Sequence, residues 1–80
     1  MSDKISIEYC TTWGYVGRAV ALARNLLNEH KNDISELSLI PSSGGVFEVK
    51  FGDELIFSKK QKGDYADKDE IEDLIREKLK

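Results

Sequence analysis

Cysteine, proline and histidine each occur once in these 80 residues, and each scarcity excludes something. A lone cysteine cannot close an internal disulfide, so the fold is expected to hold without covalent staples, in a reducing compartment. One histidine with no second histidine or cysteine to join it leaves no metal-ligand set. His30 is read instead as a surface residue at a helix end. Long apolar runs are missing too: none approaches the roughly 20 residues that span a bilayer, and Met1-Ser2-Asp3-Lys4 leads into a strand, not an apolar leader. Nor is there an excess of positive charge. The net charge is -3 and the pI about 5.1, so nucleic-acid and membrane-surface partners, which need a basic footprint, are not expected. A cytoplasmic, monomeric protein is the expectation.

What is present suits one small folded unit. Hydrophobic residues make up 40% and charged residues 34% of the chain, ordinary for a globular protein, and residues 1–80 are read as a single domain with a thin core. Ile5 to Tyr9 alternates apolar and polar residues, as a strand does. From Val16, apolar residues fall at Val16, Ala19, Val20, Leu22, Ala23, Leu26 and Leu27, which predicts a helix with one broad buried face. Leu37 to Ile40 is a second β-prone run, ending at Pro41. Val46 to Phe51 is a third, with Phe47, Val49 and Phe51 on one face. Gly52-Asp53-Glu54 then turns the chain into Leu55-Ile56-Phe57-Ser58, forming an antiparallel hairpin. Lys59 to Asp64 reads as a polar connection, its lysines a solvated edge. Asp67, with Glu70 three residues on, caps a last helix whose apolar stripe is Ile71, Leu74, Ile75 and Leu79.

The order is β-α-β-β-β-α. It predicts an α/β fold of thioredoxin-like layout: a four-stranded mixed sheet in the order 2-1-3-4, with two helices packed on it. The short link from Leu39 to Val46 leaves an antiparallel meander as the alternative. Ile7, Leu22, Leu26, Phe47 and Val49 are expected in the core.

The chemistry converges on the first β-to-α turn, Cys10-Thr11-Thr12-Trp13-Gly14-Tyr15. A helix N-terminus directs N–H groups and partial positive charge at such a turn, and a thiol held there ionises more readily than a free one. Two readings of Cys10 stand: a partly accessible reactive thiol, or a small residue packed at a strand end. Trp13 has two readings as well, a ring folded back on the helix or a partner-binding anchor. Gly14-x-x-Gly17 is too short for a dinucleotide fingerprint, and no cofactor or metal site is indicated.

Three blocks, Ile7-Glu8-Tyr9-Cys10-x-x-Trp13-Gly14-Tyr15, Gly45-Val46-Phe47-Glu48-Val49, and Leu55 to Lys60 followed by Gly63-Asp64-Tyr65, together resemble the selenoprotein W-related, or Rdx, family. The resemblance covers nearly the whole chain. It implies a thioredoxin-like fold and thiol-based redox chemistry from a Cys-x-x-Cys or Cys-x-x-selenocysteine motif in the first β-to-α loop. Cys10 matches the first position, as candidate redox thiol. Trp13 stands at the second, where the family has its other redox residue. A dithiol mechanism needs a second thiol to resolve the mixed disulfide, so the resemblance implies, for this chain, monothiol chemistry with an external resolving thiol. Thr11, Thr12, Trp13 and Tyr15 are the candidate binding residues for a protein or small-thiol partner at this loop. The alternative is a non-enzymatic interaction module on the same scaffold.

Overall fold

The computed structural model describes residues 3–12 and 14–79. Its elements in chain order are β1 (Lys4–Cys10), α1 (Tyr15–His30), a 3-10 turn (Lys31–Asp33), β2 (Glu36–Ser42), β3 (Phe47–Phe51), β4 (Glu54–Ser58), α2 (Lys59–Lys62) and α3 (Glu70–Leu79). The sheet order is β2-β1-β3-β4, as the sequence predicts. β1 and β2 are parallel, Ile7 lying beside Leu39, so the meander is excluded. β1 pairs antiparallel with β3, and β3 with β4.

Strand alternation gives the sheet two unlike faces. Ile5, Ile7, Phe47, Val49 and Phe57 meet Ala19, Leu22, Ala23 and Leu26 of α1 and Ile71 and Ile75 of α3 in one buried cluster. All five residues expected in the core are there, each no more than 6% exposed. On the opposite face Glu8 lies directly beside Glu48, whose carboxylate accepts the Ser58 hydroxyl at 2.8 and 2.9 Å. That bond fixes one of two like charges which would otherwise oppose each other freely.

The apolar face of α1 is narrower than its periodicity suggests. Val16, Val20 and Leu27, expected to be buried, are 43%, 50% and 43% exposed. Asn25 bonds Glu72 at 3.3 Å and Glu29 pairs with Arg76, so one flank of α1 is turned to α3. Val16, Val20 and Leu27 lie on the other flank, which no second helix covers. His30 is corrected in the opposite sense. Four residues after Leu26, it continues the buried stripe by one turn, and its side chain is 10% exposed rather than on the surface. Its Nε2 has no hydrogen-bond partner among the described residues, the Glu29 carboxylate standing 3.9 Å away.

One local feature lies outside the sequence reading. The polar connection contains α2, a single turn with no apolar pattern to announce it. Its ends explain it: the Ser58 hydroxyl accepts the Gln61 N–H at 3.2 Å, and Gly63, at φ 82°, stops the turn. At α3 the expected capping box is not formed, because Asp67 stands three residues before the helix, although the Glu70 carboxylate does accept the Asp67 N–H at 2.9 Å. The helix itself starts at Glu70.

Candidate functional site

β1 delivers Cys10 to the end of the sheet, and backbone bonds hold it there. The Cys10 N–H donates to the Val46 carbonyl at 2.9 Å, and the Thr11 N–H to the Ser42 carbonyl at 3.1 Å. The turn that follows closes with the Tyr15 N–H donating to Thr12 O at 3.4 Å. Gly14, at φ 77°, is the residue before α1, a left-handed conformation suited to glycine. α1 has no side-chain cap and no acid in its first turn, so nothing there offsets the positive end of its dipole.

Cys10 is not partly accessible, as the sequence reading expects, but 2% exposed. It does not belong to the apolar cluster. Its parity on β1 sets it on the face opposite Ile5 and Ile7, and its closest partner is polar: Sγ lies 3.0 Å from the Thr12 hydroxyl. The thiol pKa is held below its ordinary value of 9.0, first by the Thr12 hydroxyl and then by the Thr12 backbone N–H. Burial opposes this, and the Gly45 N–H and the positive charge of Lys59 add to it. Each favourable group donates a hydrogen bond to, or attracts, a thiolate. Enclosure therefore comes with stabilisation of the charged form.

Of the candidate binding residues, Thr11 and Thr12 are exposed and Tyr15 is half-buried. Trp13 lies outside the described residues. Tyr15 belongs to an aromatic group, its ring edge-on to Phe47 at 6.3 Å and tilted against Tyr65 at 6.0 Å, with Phe47 and Tyr65 5.0 Å apart. Cations cover two of these rings: the Arg18 guanidinium sits 4.2 Å from the centre of Tyr65, and the Lys59 ammonium 5.9 Å from that of Tyr15. The thiol turn is thus tied through Tyr15 to the start of β3 and to the segment before α3.

Gly45 and Lys59 are the site residues that sequence reasoning missed. Gly45 enters the sequence reading only within the second resemblance block, and Lys59 only within the third and as one of several lysines on a polar edge, whereas the fold brings both to Cys10. The glycine pair carried the available signal, since Gly44 and Gly45 have φ of 82° and 73°, and such a backbone can turn an N–H toward a neighbouring anion. Among the described residues no group of three or more acidic, histidine or cysteine side chains could hold a metal ion, and no helix is long and apolar enough to cross a membrane.

Comparison with known proteins bears on the fold as a whole. A selenoprotein W-related protein from Vibrio cholerae superposes with a TM-score of 0.86 at 26% identity, over 96% of each chain. A protein from Bordetella parapertussis gives 0.84 at 27% identity, over 92% of this chain and 94% of its own. No curated protein sequence matches the chain. The model of the Rdx family matches residues 4–77, through the strand that ends in Cys10 and both long helices, and the chain belongs to that thiol-redox-related, thioredoxin-like family.

Proposed function

We propose that the protein is a monothiol redox protein acting through Cys10. The thiolate attacks one sulfur of a partner disulfide, forming a mixed disulfide and releasing the other sulfur as a thiolate. An external thiolate then attacks the mixed disulfide, leaves bonded to the partner's sulfur and returns Cys10 to its starting form. One partner sulfur is freed as a thiolate and the other is left in a disulfide with the external thiol, which a second external thiol displaces to complete the reduction; no second thiol is required from the protein. The observation that carries this reading is the Thr12 hydroxyl 3.0 Å from Sγ, placed to donate to a thiolate. Enclosure of Cys10 at 2% exposure favours a second reading, a binding module that keeps the scaffold and not the chemistry.

Alkylation of Cys10 by iodoacetamide across pH separates the two. The redox reading expects a midpoint below the ordinary 9.0, in the direction set by Thr12. It also expects Thr12→Val to raise that midpoint and slow alkylation at neutral pH by about tenfold, as removing a hydrogen bond to a charged group should. A midpoint at the ordinary value, unmoved by Thr12→Val, supports the binding module.

Linkage supplies a check that needs no reactivity. A thiol whose folded pKa is depressed adds stability that is complete above its unfolded pKa and is lost as pH falls through the folded one. The stability of the wild type relative to Cys10→Ser should therefore grow from neutral pH towards pH 9.0 and level off above it. Urea denaturation at a series of pH values measures this, and a flat difference would contradict the lowered pKa.

A further inference from the structure

Beside the thiol lies a groove of about 500 Å³ lined by Gly44, Gly45, Val46, Lys59, Lys60 and Gly63. It shares two residues with the surroundings of Cys10, because the Gly45 N–H and the Lys59 charge both act on Sγ. Its charge is one-sided. Among the described residues no acidic side chain lines it, in a chain whose net charge is -3. Of the other lysines, Lys62 pairs with Asp67 at 3.4 Å and Glu70 at 2.6 Å, Lys78 with Glu54 at 2.5 Å and Lys4 with Glu36 at 3.9 Å, while Lys31, Lys50 and Lys68 make no ion pair among the described residues. Lys59 and Lys60 make no ion pair among the described residues, and the one contact shown for Lys59 is the face of Tyr15. The acid next along the chain, Asp64, turns its carboxylate to the Tyr65 N–H at 2.7 Å. At Gly44 a side chain would meet nothing within 4 Å, so that wall is open to an incoming chain.

We propose that this groove makes Cys10 selective for disulfides that carry a carboxylate near the reacting sulfur, with Lys60 and Lys59 receiving the carboxylate. The proposal rests on the monothiol reading and names its substrate class. Two ammonium groups with no acid beside them in the groove raise encounter with anionic disulfides and disfavour cationic ones. The reaction is the exchange already described: Cys10 Sγ bonds to the near sulfur, the S–S bond breaks, and the far half leaves as a carboxylate-bearing thiolate.

Three disulfides of matching length test it: 3,3′-dithiodipropionate, bis(2-hydroxyethyl) disulfide and cystamine, which are anionic, neutral and cationic. Mixed-disulfide formation at Cys10 is followed by mass spectrometry, each rate divided by that of a short cysteine peptide with the same reagent. The expected order is anionic, neutral, cationic, with at least about tenfold between the extremes at low salt, and a much smaller ratio at high salt. Lys60→Gln should shrink the ratio. A ratio at or below one, or one that Lys60→Gln does not alter, overturns the proposal. Should Cys10 react with none of the three, the monothiol reading falls, and the groove is judged on octanedioate, the unreactive carbon analogue of the anionic disulfide. Saturable shifts of the Gly44 and Gly45 amide resonances, weakened by Lys60→Gln, would support carboxylate selection. Their absence would overturn it.

Discussion

Replacing Phe47 with Ala is expected to cost about 3 to 5 kcal/mol of stability, the range for deleting a buried aromatic ring. The ring is wholly buried. It sits between the apolar cluster under the helices and the aromatic group of Tyr15 and Tyr65, edge-on to both rings. Its loss therefore removes burial and aromatic contacts together, with little chance of collapse, because the neighbouring rings are held by α1 and by the segment before α3. An 80-residue domain has a total of about 4 to 12 kcal/mol at typical stability per residue, so the variant should lose at least about a quarter of its stability. Urea denaturation gives the number, provided the slope of the transition stays near that of the wild type. A loss below about 1 kcal/mol would mean that Phe47 is not where the core and the thiol turn meet.

Ile75→Ala is expected to be comparably damaging, at about 2 to 5 kcal/mol, but by a different route. α3 has 10 residues, too few for a stable helix in isolation. It is held to the sheet by Ile71 and Ile75, 3% and 0% exposed and one turn apart, while its pairs through Arg76 and Lys78 lie at the surface and contribute little. Cutting back Ile75 should release α3 before the sheet opens. Hydrogen exchange then reads the distinction: amides of α3 should lose protection by more than those of β1 and β3. Uniform loss across the chain would show that α3 and the sheet unfold as one unit.

The elements and their order were legible because each carries its own period. Ile5, Ile7, Val49 and Phe51 alternate, Ala19, Leu22, Ala23 and Leu26 recur at helical spacing, and the glycines mark the turns, whereas Pro41, read as the end of the second run, lies inside β2. What the period cannot reveal is how wide a covering the fold supplies. Val16, Val20 and Leu27 satisfy the helical pattern as well as Leu22 does, yet they lie on the flank of α1 turned away from α3. His30 looked like a helix end and is also the next residue on the buried stripe. At the site, the turn with Cys10 and Thr12 was visible as a local stretch. Its remaining parts, Gly45 and Lys59, come from 35 and 49 residues further along the chain, as their numbers show, and no local signal joins them to it. Enclosure of the thiol was missed for the same reason, since it is made by the sheet end as a whole.

The outer strands bear on what happens when many copies meet. An unpaired strand edge is a template on which another chain can lay a strand, the first step towards sheet-based aggregation. Both outer strands here are interrupted. β2 carries Pro41 beside Tyr9, and a proline nitrogen has no hydrogen to give an arriving backbone. β4 carries a bulge: Val49 pairs with Phe57 and Lys50 with Leu55, leaving Ile56 as the extra residue, which bends the edge out of register for a regular partner. A foreign strand docking on either side therefore meets a break within a few residues, which hinders the long regular pairing that a fibre needs.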